Sequence, residues 1–175
     1  MNGFRILKVT IVALLLAVSA CGDDDEPAGA ATNFTATLSG TNEVPPVPSS
    51  ATGSAVLALS GDQLTYTVNV TNLQNPILAH IHIAPVGENG DVRLNLCGTG
   101  APQPPCTSGS GTIVLAAGTN GTTVGSPAIT FDSLVSAMRS GNAYVNVHTD
   151  NGQPPPNTGP GDMIAGEIRG QVVSN

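Results

Sequence analysis

The stretch Ala55-Val56-Leu57-Ala58-Leu59-Ser60-Gly61-Asp62-Gln63-Leu64-Thr65-Tyr66-Thr67-Val68-Asn69-Val70 reads as two strands joined by a tight turn. Leu64, Tyr66, Val68 and Val70 alternate with Thr65, Thr67 and Asn69, which gives the second strand one apolar and one polar face. Gly61-Asp62 supplies the turn. Working outward, the same alternation between turn signals recurs at residues 34–38, 79–83, 92–96, 111–115, 143–148 and 166–172. About eight short strands predict an all-β fold, an antiparallel β-sandwich. The exception is 132–139, where Leu134, Val135 and Met138 share a helical face, Asp132 is placed to cap and Gly141 to stop one short helix. Glu43-Val44-Pro45-Pro46-Val47-Pro48 lacks three amide donors and is expected as an extended edge or a loop.

Composition is consistent with this. The 175 residues carry 21 Gly and 14 Pro without a period, and 40% of them are hydrophobic, so the chain is neither collagen-like nor disordered and has room for one domain. With 5 basic residues against 12 acidic ones, and the basic residues isolated, no surface can neutralise a phosphate backbone, and a nucleic-acid partner is excluded.

The first residues read as an address. Arg5 and Lys8 precede an apolar run from 9 to 20 that ends Val18-Ser19-Ala20-Cys21. This is a charged region, a hydrophobic region and a small-residue cleavage site, too short for a bilayer span of ~20 residues. Small residues before a Cys resemble the lipobox of bacterial lipoproteins, which implies a signal peptide at 1–20 and Cys21 as the lipidated mature N-terminus. Residues 21–32, acidic and then small, form a tether. Without residues 1–20 the chain keeps 3 basic side chains against 12 acidic ones, net −9, so membrane attachment is expected through lipid and not through a basic patch. The expected location is the bacterial cell envelope. Gly22 does not resemble the Asp that holds some lipoproteins at the inner membrane, which favours the outer membrane or cell surface. In an oxidising compartment Cys97 and Cys106, which bracket a Gly/Pro-rich loop, are expected to form a disulfide contributing roughly 2 to 3 kcal/mol.

All three histidines lie in strands. In 79–83 the residues Ala79, Ile81 and Ile83 take one face and His80 and His82 the other; in 143–148 Val145 and Val147 face the core while Tyr144, Asn146 and His148 face away. The same alternation turns Glu167, Arg169 and Gln171 outward. If these strands are neighbours, three imidazoles can meet in a zinc- or copper-type site, with Glu167 or Asp150 as supplementary oxygen ligands, and affinity should fall below about pH 6 as the imidazoles protonate. The competing readings are a solvated polar face with a surface Glu167–Arg169 ion pair, and histidines that serve as structural hydrogen-bonding groups between these strands, which the residues favour over a metal site. No Gly-x-Ser-x-Gly elbow, EF-hand loop or carboxylate pair is present to support catalysis.

The blocks Phe34-Thr35-Ala36-Thr37-Leu38-Ser39-Gly40, Asn42-Glu43-Val44-Pro45-Pro46, Ala79-His80-Ile81-His82, Tyr144-Val145-Asn146-Val147-His148-Thr149 and Gly166-Glu167-Ile168-Arg169-Gly170-Gln171 together resemble the CHRD domain, the module named after chordin. The resemblance spans roughly 33–173 and implies a single all-β extracellular domain, 33–175, without established enzymatic activity. Residues 150–163 are longer than the connection it implies and are expected to form a surface loop beside His148. The His-x-His strand is also similar to the copper strand of Cu/Zn superoxide dismutases, whose site needs more histidines than three, so dismutation is not expected. Two functions follow: a lipid-anchored, non-catalytic binding or scaffold module for a protein or glycan partner, or a copper- or zinc-binding protein using His80, His82 and His148. A redox enzyme built on that metal ranks well behind both.

Overall fold

A computed structural model describes residues 32–98, 103–157 and 159–175. The signal peptide expected at 1–20, Cys21 and all but residue 32 of the tether expected at 21–32 lie outside the described residues. Nine strands follow in chain order: β1 (Asn33–Ser39), β2 (Thr52–Ser60), β3 (Gln63–Thr71), β4 (Pro76–Ile83), β5 (Asp91–Cys97), β6 (Thr112–Asn120), β7 (Ala143–Thr149), β8 (Ile168–Gln171) and β9 (Val173–Ser174). Helix α1 (Phe131–Arg139) lies between β6 and β7.

Every ladder is antiparallel, in the order β5-β4-β7-β8-β1-β2-β3-β6, with β9 on β1. The joint between β8 and β1 is a single pair, Ser39 with Arg169, so the sheet bends there into two halves that enclose one core. Its far ends meet: Asn120 Nδ2 donates to the Asn95 carbonyl, and the Val124 amide donates to the Arg93 carbonyl. The result is a sandwich close to a closed barrel. The β2–β3 hairpin has the expected register, with Leu57 opposite Tyr66 and Ala55 opposite Val68, all four buried with Phe34, Leu38 and Leu115 from neighbouring strands.

Helix α1 buries Leu134, Val135 and Met138, and Gly141, at φ 71, follows its last turn as expected. The cap is Thr130 and not Asp132: the Thr130 hydroxyl accepts from the Ser133 amide, and Asp132 sits in the first turn, where its charge suits the helix dipole. Cys97 and Cys106 are bonded, with Cα atoms 5.0 Å apart. Beside them the Tyr66 hydroxyl bridges the Leu96 carbonyl and Gln103 Oε1, each at 2.8 Å. Residues 43–50 form a loop, as their prolines require. The strand expected over 166–172 is shorter, β8 covering Ile168–Gln171: the Val172 amide still donates to the Ala143 carbonyl of β7, and Val173 then turns to pair with Thr35 of β1.

Candidate metal centre

The site begins with the pleat of β4 and β7. Ala79, Ile81, Val145 and Val147 fill the core, so His80, His82, Tyr144, Asn146 and His148 emerge on the opposite face. The two strands are neighbours: His80 lies opposite Asn146, His82 opposite Tyr144, and Leu78 opposite His148. On the other flank of β7, Arg169 lies opposite Asn146 and Gln171 opposite Tyr144.

This polar face is not solvated, which overturns the reading of it as a surface. His80, His82 and His148 are 8%, 7% and 8% exposed, and Arg169 and Glu167 are 2% and 0%. Loops bury it, and its side chains hold them down. Arg169 donates to Asn89 Oδ1 at 3.1 Å and to the Glu88 carbonyl at 2.7 Å; Gln171 donates to the Ala84 carbonyl at 3.0 Å; Asn89 in turn donates to the Val44 carbonyl at 2.7 Å. The guanidinium carbon of Arg169 stands 3.4 Å from the centre of the Tyr144 ring, and His82 stacks on Tyr144 at 4.7 Å with the planes 8° apart. The stack thus crosses β8, β7 and β4, and satisfied polar groups make burial of the face tolerable.

Each of two histidines is oriented by a backbone carbonyl. His82 Nδ1 donates to the Gly90 carbonyl at 2.9 Å, and His148 Nδ1 donates to the Ile164 carbonyl at 2.8 Å. A carbonyl only accepts, so both rings carry their proton on Nδ1 and turn an Nε2 lone pair inward, the arrangement by which outer partners fix metal-ligating imidazoles. His82 Nε2 is buried and has no partner. His148 Nε2 lies 3.3 Å from His80 Nδ1, and one ligand atom from each of the three rings falls within 4.8 Å of the others. With the His148 proton on Nδ1, that contact is a hydrogen bond from His80 Nδ1 to the His148 Nε2 lone pair.

Electrostatics keep the cluster neutral. Burial, then the facing His148 and His82, push His80 down to about 3; burial pushes His82 down to about 4 against the Gly90 carbonyl, and burial pushes His148 down against the Ile164 carbonyl. Neutral imidazoles are the metal-binding form, and burial lowers the pH at which protons compete for them.

Neither proposed oxygen ligand joins the cluster. The Glu167 carboxylate is occupied by Ser49 Oγ at 2.6 Å, Thr149 Oγ1 at 2.7 Å and the Gly161 amide at 2.7 Å, and it makes no ion pair with Arg169. Glu167 ties the 150–166 loop to the sheet. Asp150 accepts from the Gly152 amide at 2.7 Å within a turn. The long loop lies against His148 as expected, the Ile164 carbonyl being its contact.

Sequence reasoning passed over Glu43. It is 6% exposed and accepts a long bond from Asn146 Nδ2 on Oε2 at 3.4 Å, while Glu43 Oε1 and Asn146 Oδ1 are buried without partners. Burial pushes Glu43 up to about 7, opposed by the Arg169 charge and the Asn146 bond. The signal was there: Glu43 is an acidic residue in a proline-rich stretch, outside both the tether and the tight turns.

No curated protein matches the chain. The family model for the CHRD domain matches residues 34–172, which takes in every strand but β9 and all the residues just described. CHRD is not a known enzyme family. The chain belongs to the CHRD domain family.

Proposed function

We propose that this is a lipid-anchored CHRD module of the bacterial cell envelope that binds a transition-metal ion, zinc or copper, through His80, His82 and His148, without catalysis of its own. The observation that carries the reading is the convergence of three buried neutral imidazoles, two of them fixed with lone pairs inward by the Gly90 and Ile164 carbonyls. His82 Nε2 is buried and has no partner among the protein atoms, and an ion bound there would give it one. The anchor rests on the apolar run ending in Val18-Ser19-Ala20-Cys21, and outer-membrane or cell-surface placement on Gly22.

The test is elemental analysis and Zn²⁺ and Cu²⁺ titration calorimetry of the full chain in detergent, beside a variant with all three histidines changed to Ala. One ion per chain at micromolar affinity or tighter, lost in the variant, is the expected result. A wild-type chain that takes up no ion, with a variant that is merely less stable, sinks the reading. A second reading, docking of a protein or glycan partner, draws on a crevice of about 420 Å³ lined by Thr41, Val44, Pro46, Val86 and Gly87, in which Val86 is 77% exposed. Anchoring is checked by mass spectrometry of the mature N-terminus, where Cys21→Ser should abolish the lipid.

A further inference from the structure

Three polar atoms on this one face are more than nine-tenths buried and have no partner: His82 Nε2, Asn146 Oδ1 and Glu43 Oε1. The two oxygens are neighbours, and the pleat places Asn146 on the face that carries the histidines. Asn146 lies directly opposite His80 in the β4–β7 ladder and one pleat before His148 on β7, which brings it to the border of the triangle of imidazoles. A Cβ placed on Gly166 would stand 2.6 Å from Asn146 Oδ1 and 2.9 Å from Glu43 Oε1, so the two orphan oxygens surround one point. Asn146 Nδ2 already points to Glu43 Oε2, which leaves the amide oxygen with nothing but its lone pairs.

An ion alone satisfies only the first of the three. His82 Nε2 gains a bond to the metal, but two oxygen acceptors remain, and they call for a donor with two hydrogens. Three imidazole ligands leave one position of a four-coordinate ion empty, and a water molecule there would present two O–H groups made more acidic by the ion. Neither Glu167 nor Asp150 competes for the position, since hydrogen bonds within the loops hold both.

We infer that the ion bound by His80, His82 and His148 keeps a fourth, exchangeable position that holds a water molecule against Glu43 and Asn146, and that this position admits small anions in place of the water. This rests on the metal reading above. The acceptor pair favours water over an anion, because azide brings no hydrogen to offer the two oxygens and is repelled by a carboxylate. Glu43 and Asn146 are positioning residues here: they select what the fourth position takes, and neither touches the ion.

The experiment uses the full chain loaded with Co²⁺, a spectroscopically visible stand-in for Zn²⁺, titrated with azide. A saturable change in the visible spectrum at one azide per cobalt is expected for the wild type. Glu43→Gln, which replaces a charged acceptor by an amide able to donate, should bind azide about tenfold more tightly at unchanged cobalt stoichiometry, the low end of the range for outer-shell changes at metal sites. Glu43→Ala should move affinity in the same direction, which keeps the test open if the Gln variant folds poorly. A cobalt spectrum indifferent to azide overturns the inference and leaves metal binding standing, since the ion is then closed by a fourth protein ligand. Equal azide affinity in the wild type and both Glu43 variants also overturns it, while failure to take up cobalt overturns this inference together with the reading beneath it.

Discussion

Protons separate the roles of single residues on the buried face. Unfolding returns His80, His82 and His148 to ordinary imidazole behaviour near 6.5, above their depressed native values, so on acidification the unfolded chain binds the extra protons and metal-free stability falls as pH drops through about 6.5. Glu43 works in the opposite sense. Raised from 4.5 to about 7, it holds a proton in the native state between those values, and its contribution is lost as pH rises toward 7. Three imidazoles outweigh one carboxyl, so urea midpoints of the metal-free chain should be lower at about pH 5 than at about pH 7, and Glu43→Gln should widen the gap by removing the opposing slope. Equal midpoints at the two pH values would show that the rings are not held neutral by burial. Arg169 is the other residue on which the face depends. Arg169→Ala removes two hydrogen bonds, the contact with Tyr144 and the positive charge nearest Glu43, and should destabilise by about 3 kcal/mol in chemical denaturation, well beyond an exposed ion pair.

At the scale of elements, strands set the histidines and loops set their chemistry. The pleat sends His80, His82 and His148 to one face, but the Gly90 and Ile164 carbonyls, one in each covering loop, decide which nitrogen is free. Gly166 is where the second loop returns to β8. Its φ of 132° disfavours any side chain, and a Cβ there would strike both Asn146 and Glu43. Gly166→Ala should therefore cost on the order of 2 kcal/mol and lower metal affinity about tenfold, read by thermal melts and calorimetry; an unchanged affinity would detach the loop from the site. The Cys97–Cys106 bridge acts away from the site, closing the loop beside Tyr66. Cys97→Ser with Cys106→Ser should lower stability by roughly 2 to 3 kcal/mol while leaving metal stoichiometry intact, because neither sulfur belongs to the His80, His82 and His148 group.

The molecule as a whole joins two faces of one bent sheet, an apolar core inside and a second, polar interior outside β4, β7 and β8 under the loops. The alternation of Leu64-Thr65-Tyr66-Thr67-Val68-Asn69-Val70 and its counterparts determined the strands, their inward faces and the all-β class, because the pleat has a period of two whatever lies around it. The spacing of Cys97 and Cys106 likewise foretold a local bridge, and the placement of His80, His82 and His148 foretold the polar face of each one's own strand. Local pattern could not tell whether that face met water. Arg169, Glu167 and Gln171 read as surface residues because charge ordinarily stays exposed, and only the fold supplied the partners that bury them: Asn89 and Tyr144 for Arg169, Ser49 and Thr149 for Glu167, the Ala84 and Gly141 carbonyls for Gln171. Glu43 escaped for the same reason, since it lies more than a hundred residues from the Asn146 it meets. Sequence alone determined the strands, the local bridge and which face of its own strand each histidine takes, which depend on neighbours along the chain; tertiary structure alone decided that β4 and β7 lie side by side, and with that the shared histidine face, its burial, the ring tautomers and the company of Glu43, which depend on neighbours in space.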